Sequence, residues 1–328
     1  MLTLCLIGCG GHAHRVYADS IVKYARTVGG IQLAACCDMD GEKAESFRAR
    51  AGFARCYTDF RAMLDAEKPG AVVLVTPFTH TAQIAVEAIE HGCAVMLEKP
   101  PGKNMEDCIA IADAAARHNA INMVAFNRRN APMVKKITAL LYGESPLHVQ
   151  HIDYQMYRYD RCENHFHTTA IHGIDMIGHI ARSAYESLGF AYAPQAAYGE
   201  GAENLLLHGR FQNGVTTQQS YCPVSGFIME RLTIAADDVT IYVETPIWHG
   251  PDYPGVIKLY KKGSLAQTIS GESLCGQALF ETDGFFDQLS EFLDCVKSGC
   301  YTANDILSAA DSVRIADCLA ARRENYQA

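Results

Sequence analysis

Residues Leu2–Ile7 (LTLCLI) are a short apolar run with β character that breaks straight into Gly8-Cys9-Gly10-Gly11-His12-Ala13, a G-x-G-x-x-A spacing at the mouth of a helix. No other stretch restricts the fold as tightly. Gly8 lets the chain turn sharply, Gly10 lets the backbone approach a pyrophosphate, and Ala13 lets the helix pack close to the strand. The amides that open the helix then face an anion. Strand, turn and helix together predict a phosphate cradle, in which Gly8, Gly10, Gly11, His12 and Ala13 are the expected cofactor contacts.

A glycine turn of this kind is weak alone, so its surroundings decide. From His14 to Val28, apolar Tyr17, Ile21, Ala25 and Val28 recur at helical spacing, Gly29-Gly30 ends the helix, and Ile31–Cys37 (IQLAACC) is a second apolar strand. Asp38 stands at its end, 25 residues past Ala13. A carboxylate there accepts the two ribose hydroxyls of an adenosine and repels a 2′-phosphate. Met39 follows where an NADP binder often carries Arg, so the residues predict NAD over NADP.

The chain has 328 residues, 49% of them hydrophobic, which is enough for two well-packed domains and too long for one ordinary α/β domain. A net charge of −9 without a Lys/Arg cluster argues against a nucleic-acid or anionic-membrane surface and leaves small neutral or polar ligands. The thirteen cysteines lie mostly inside apolar segments with no C-x-x-C pair, so neither a disulfide framework nor a zinc knuckle is expected. With no signal peptide or transmembrane run, the expected location is cytoplasmic and reducing.

Beyond Asp38 the rhythm stays strand-helix. Gly41–Ala51 and Asp59–Ala66 read as helices, and Ala71–Thr76 (AVVLVT) is continuously apolar, as strands buried on both faces of a parallel sheet are. Pro77 stops it, and Thr79 is placed to cap a helix that Gly92 closes. Ala94–Leu97 is the next strand, Met105–His118 a helix, and Ile121–Phe126 a further strand. This alternation predicts an α/β, doubly wound parallel sheet over residues 1–124. From 125 to 328 a different domain is expected, with a large, mainly antiparallel open sheet. Its strands are Leu147–Tyr159, Leu205–Phe211 and Val215–Tyr221 around the Asn213-Gly214 hairpin signal, Met229–Ala235, Val239–Glu244 and Val256–Tyr260. A single helix, His165–Ile180, lies among them, and Gly284–Lys297 and Asp305–Arg323 close the chain.

Ligands of an open parallel sheet sit beyond the carboxyl ends of its strands. Four such ends carry shaping or reactive groups: the glycine turn, Asp38, Thr76-Pro77 and Glu98-Lys99-Pro100. Lys99, between a buried strand and two prolines, is placed to hold a substrate hydroxyl and favour its ionised form. A solvated loop lysine is the equal alternative on these residues alone. In the later helix, Thr168, His172, Asp175 and His179 follow a 4, 3, 4 spacing and share one stripe facing a site or water, with Ile171, Ile174 and Ile177 elsewhere. His172 is a candidate acid/base, with Asp175 one turn away to orient it. His165, His167, His172 and His151 raise a zinc question, but His165 and His167 point to different sides, so no metal is expected. Trp248 and Tyr253 lie in a Gly/Pro-rich loop, for which packing is the default role.

The ordered set GCGGHA, Asp38 after the second strand, VTPFTH, EKPPG, FNRR and T-x-x-x-H-x-x-D resembles the Gfo/Idh/MocA family of NAD(P)-dependent oxidoreductases, across both domains. The resemblance implies a Rossmann domain followed by an α/β domain that commonly builds a homodimer or homotetramer. It implies that Lys99 and His172 are catalytic. Thr76, Pro77 and His80 would line the nicotinamide side, Glu98, Lys99 and Asn127 would also bind the cofactor, and Arg128, His165, Thr168 and Asp175 would meet the substrate. Relatives oxidise a secondary hydroxyl of a sugar, inositol or related polyol. Thr168 departs from the family's D-x-x-x-H, which leaves three alternatives: a different substrate contact, compensation by Asp175 or by His165 and His167, or loss of dehydrogenase activity. The resemblance therefore admits a dehydrogenase, an NAD-retaining glycosidase working by transient oxidation and elimination, or a non-catalytic NAD or sugar binder.

Overall fold

Strand β1 (Leu2–Ile7) runs parallel to β2 (Ile31–Cys37), with Leu2 opposite Ile31 and Ile7 opposite Cys37. Both become fully buried toward their carboxyl ends, because helices cover both faces of a parallel sheet and leave no room for alternation. β3 (Arg55–Tyr57), β4 (Ala71–Leu74), β5 (Ala94–Glu98) and β6 (Asn122–Ala125) complete a six-stranded parallel sheet in the order β3-β2-β1-β4-β5-β6. The order reverses direction between β1 and β4, and the glycine turn leaves β1 at that switch point.

These observations come from a computed structural model describing residues 1–328. The chain divides into two compact units, Met1–Asn127 with Phe285–Val313, and Arg128–Gly284 with Arg314–Ala328. The division differs from a simple cut at 124/125: residues 285–313 return to the first unit. There, helix Phe285–Ser298 sends the Gln288 side-chain amide to the Tyr17 hydroxyl at 3.3 Å, and the Thr302 hydroxyl donates to the Asn122 carbonyl at 2.5 Å. The first helix begins with a wide π-turn over Ala13–Tyr17 and continues as α-helix over Ala18–Thr27. Its buried Ala13, Val16, Tyr17, Ile21 and Tyr24 face the core.

The second unit is built on a nine-stranded sheet. Its strands are β7 (Val149–Tyr157), β8 (Tyr185–Pro194), β9 (Glu203–Phe211), β10 (Thr216–Cys222), β11 (Met229–Ala236), β12 (Val239–Glu244), β13 (Val256–Lys261), β14 (Ser264–Ser270) and β15 (Asn325–Gln327). The order is β14-β13-β12-β11-β7-β10-β9-β8-β15. Only β7 and β10 pair in parallel; their other neighbours are antiparallel. The β9–β10 hairpin turns at Asn213-Gly214, with Gly214 at φ +89° and Leu205 opposite Tyr221.

Inward Ile152, Tyr154 and Met156 of β7 join Tyr221, Leu232, Ile234 and Ile241 in one core, roofed by Ile174, Ile177 and Ile180. Helix Pro132–Tyr142 adds Met133, Val134, Ile137 and Leu141. It makes the expected single helix one of several, and its proline at the first turn and its apolar spacing were the available signals. All thirteen cysteines are free thiols, and no helix is long and apolar enough to cross a membrane.

Candidate active site

Gly8 sits at φ +98°, and a Cβ there would stand 2.2 Å from the Val75 carbonyl oxygen. The fold itself therefore requires this glycine. Gly10 and Gly11 are different: a Cβ on either would meet nothing within 4 Å, so no protein atom demands their bareness. A cradle with that open space fits a backbone that must let a pyrophosphate approach. The first helical bond runs from the His14 amide to the Gly10 carbonyl at 3.1 Å, and a helix leaves its earliest amides without intrahelical acceptors. A cavity of about 360 Å³ opens here, lined by Gly10, Gly11, His14, Asp40, Lys43 and Ser46.

Asp38 is fixed at the same mouth. Its carboxylate accepts the Cys9 amide at 2.8 Å and the Asp40 amide at 3.0 Å. The fingerprint's own backbone thus aims the residue that follows β2, a link the spacing alone did not show. Asp40 caps helix Gly41–Ala51 and pairs with Lys43 at 3.2 Å, which ties the cation of this cavity to an acid.

At the end of β5, Glu98 is buried and accepts the Tyr17 hydroxyl at 2.6 Å. Its other contacts are His12 Nε2 at 3.1 Å and the Lys99 amide at 3.2 Å. Burial works against its charge, but His12, Lys99 and the Tyr17 hydroxyl outweigh that and hold Glu98 below the usual carboxylate range. Glu98 and His12 thereby lock the first helix to the half-buried Lys99, which precedes Pro100. Helical spacing marks Tyr17 only as one of the apolar positions of the first helix, and its bond to Glu98 has no local sequence signal. Thr76 Oγ1 lies 2.9 Å from Thr81 Oγ1. Pro77, rather than Thr79, is the N-cap of helix Phe78–Glu90, whose His80 is exposed. Asn127 is buried in the turn Asn127–Asn130.

In the second unit, His172 lies on helix His167–Ala181. That helix rests directly on the sheet: a Cβ on Gly173 would fall 2.3 Å from the Tyr154 ring, and the Tyr185 hydroxyl donates to the Ile174 carbonyl at 2.8 Å. The polar stripe does not face water throughout. Asp175 is 2% exposed, and Arg129 grips its carboxylate, Nε to Oδ2 at 2.8 Å. The stripe's acid is neutralised by a neighbour that the FNRR motif contained but that had no assigned role. Thr168 donates to the His165 carbonyl at 2.8 Å, and the rings of exposed His165 and half-buried His167 lie edge to face, 6.5 Å apart. Burial first, then His165, pushes the His167 imidazole below its ordinary range.

Arg128, expected at the substrate, is 4% exposed and donates from Nε to Glu230 Oε2 at 2.8 Å. Arg158 also pairs with Glu230. Burial opposes the Glu230 charge, yet the two guanidiniums win and hold its carboxyl at about 2. The structure thus commits this edge of Arg128 to a buried ion cluster, because Glu230 would otherwise be an uncompensated interior charge.

An open glycine turn at a parallel-sheet switch point, with Asp38 held beside it, has the geometry of a nucleotide-binding Rossmann unit. Residues 2–126 match the model of the Gfo/Idh/MocA oxidoreductase family, described as an NAD-binding Rossmann fold. The match to that family's model is confined to this first unit. D-glucoside 3-dehydrogenase of Escherichia coli is 32% identical over 130 residues, a stretch covering 40% of this chain and 36% of that protein. A Gfo/Idh/MocA family oxidoreductase from Vibrio cholerae shares the fold over 98% of both chains, with a TM-score of 0.81 at 17% identity. A levoglucosan dehydrogenase solved with NADH and L-sorbose does so over 100% of this chain and 98% of its own, with a TM-score of 0.81 at 18% identity.

Proposed function

We propose that the protein is an NAD-dependent dehydrogenase acting on a secondary hydroxyl of a sugar, inositol or related polyol. The observation that carries the reading is the pair of Asp38, aimed by the Cys9 amide at 2.8 Å, and the Glu98-Lys99 turn, locked through Tyr17 at 2.6 Å. One positions a cofactor and the other presents a cation at the carboxyl end of β5 in the same sheet. The names of the relatives, D-glucoside 3-dehydrogenase and levoglucosan dehydrogenase, support the substrate class.

Gly8, Gly10 and the first helical turn hold the pyrophosphate, and Asp38 takes the adenosine ribose. The bound nicotinamide supplies the hydride acceptor. Lys99 stabilises the alkoxide that develops on the substrate oxygen, and His172 accepts its proton. Thr168 contributes a hydroxyl where a carboxylate would otherwise meet the substrate, which suits a neutral polyol.

NAD would be preferred over NADP because the Asp38 carboxylate would repel a 2′-phosphate while Asp40 occupies Lys43. Calorimetric titration with each cofactor tests this. Wild type binds NAD more tightly, and Asp38→Ser shifts the NAD-to-NADP affinity ratio toward NADP by about tenfold or more. An unchanged ratio refutes the assignment of Asp38.

A further inference from the structure

The second unit holds a buried carboxyl that this chemistry does not use. Asp283 is 2% exposed. Its Oδ2 accepts the Trp248 backbone amide at 2.9 Å, and its Oδ1 accepts the Thr282 hydroxyl at 3.3 Å. That same hydroxyl lies 3.3 Å from His249 Nε2. Trp248 and His249 both stand in the left-handed region, at φ +53° and +51°. Bulky residues rarely adopt this conformation, and it persists only where surrounding contacts hold it. Beside the carboxyl is a void of about 20 Å³ bounded by Arg128, Glu230, Thr245, Met133 and Ile247, room for roughly one water.

We propose that Asp283 is a proton-operated latch on the Trp248–His249 turn: the neutral carboxyl keeps the turn closed, and ionisation opens it so that water reaches the charge. The direction follows from what faces the carboxyl. Arg128 approaches from the turn Asn127–Asn130 and Glu230 from β11, and these two already pair with each other, with Arg158 also on Glu230. His249 approaches from the turn itself, through Thr282. Arg128 is thus largely spent, and burial dominates. Burial pushes the Asp283 carboxyl up to about 7, with Glu230 adding to the effect and the Trp248 amide and Arg128 opposing it.

An open, hydrated turn returns the carboxyl toward its ordinary value of 3.8, so the closed turn binds the proton more tightly. Each pH unit between those two values then raises the open-to-closed ratio by up to about tenfold as pH rises, and the ratio levels off above about 7.

Trp248 is the only tryptophan in the chain, so its fluorescence reads the turn directly. The full-length protein is titrated from about pH 5 to about pH 8, a range that covers the upper part of the linkage window and the plateau above it. The emission maximum of wild type shifts to the red and acrylamide quenching increases as pH rises. Asp283→Asn keeps an oxygen to accept the Trp248 amide but has no charge, so its emission stays blue and flat. His249→Gln removes the other titrating group of the turn and retains the wild-type shift. Flat wild-type emission, an Asp283→Asn variant that titrates like wild type, or loss of the shift in His249→Gln each overturns the latch. Should Asp283→Asn fail to fold, wild type and His249→Gln decide the matter. The measurement uses neither cofactor nor substrate, so its outcome is independent of the dehydrogenase reading.

Discussion

Replacing Gly8 with alanine is expected to abolish NAD binding and destabilise the first unit together. The new Cβ would lie 2.2 Å from the Val75 carbonyl oxygen and 2.6 Å from its carbon, on a residue at φ +98°. Both obstacles are backbone, so no rotamer change relieves them. A left-handed conformation forced on a non-glycine residue, added to that clash, costs about 3 kcal/mol or more. Gly10→Ala provides the contrast, because its Cβ meets nothing within 4 Å. Its thermal stability should stay within about 0.5 kcal/mol of wild type, while NAD affinity falls by about tenfold or more as the methyl occupies the pyrophosphate's approach. Calorimetry on both variants separates a glycine the fold needs from one the ligand needs. Equal stability losses in the two would contradict the distinction.

The two glycines also show how far sequence reading reached. Both lie at the fingerprint spacing, but only the tertiary structure sets them apart: a Cβ on Gly8 would meet Val75 and one on Gly10 would meet open space. β1 and β2 were legible to the residue because apolar runs bounded by glycine and aspartate have few alternatives. β3 was not: it is three residues long and not fully buried, and it exists because β2 offers it an edge. The β9–β10 hairpin was visible in Asn213-Gly214, whereas the parallel pairing of β10 with β7 joins segments far apart in the chain and leaves no local trace. The return of residues 285–313 to the first unit is likewise tertiary. The site followed the same rule. Asp38, Lys99 and His172 could be picked out as residue types at strand ends or on a helix stripe. The partners that hold the site, such as Tyr17 on Glu98 and Arg129 on Asp175, belong to separate elements and had to be seen.

The second large effect is expected at the proposed catalytic pair. His172→Ala removes the proton acceptor and Lys99→Met removes the cation facing the developing alkoxide, and each should lower kcat by roughly 10²- to 10⁴-fold. His172→Ala should leave the NAD dissociation constant within about threefold of wild type, because the nucleotide cradle lies in the other unit. Lys99→Arg should not restore the rate, since a planar guanidinium does not replace a compact ammonium. Steady-state kinetics on these variants, with the cofactor titrated separately, would expose a wrong assignment as normal turnover in either one.

The proposed reaction moves a hydride from a polyol hydroxyl to NAD. The most direct measurement is NADH formation by the wild-type protein against a panel of free sugars, inositols and sugar acids, with chromogenic glycosides and NADP run alongside. Steady NADH production from one class of polyol, lost in His172→Ala, is the expected result. Tight NAD binding with no NADH from any compound would contradict it, and glycoside cleavage under the same conditions would replace it with an NAD-retaining glycosidase.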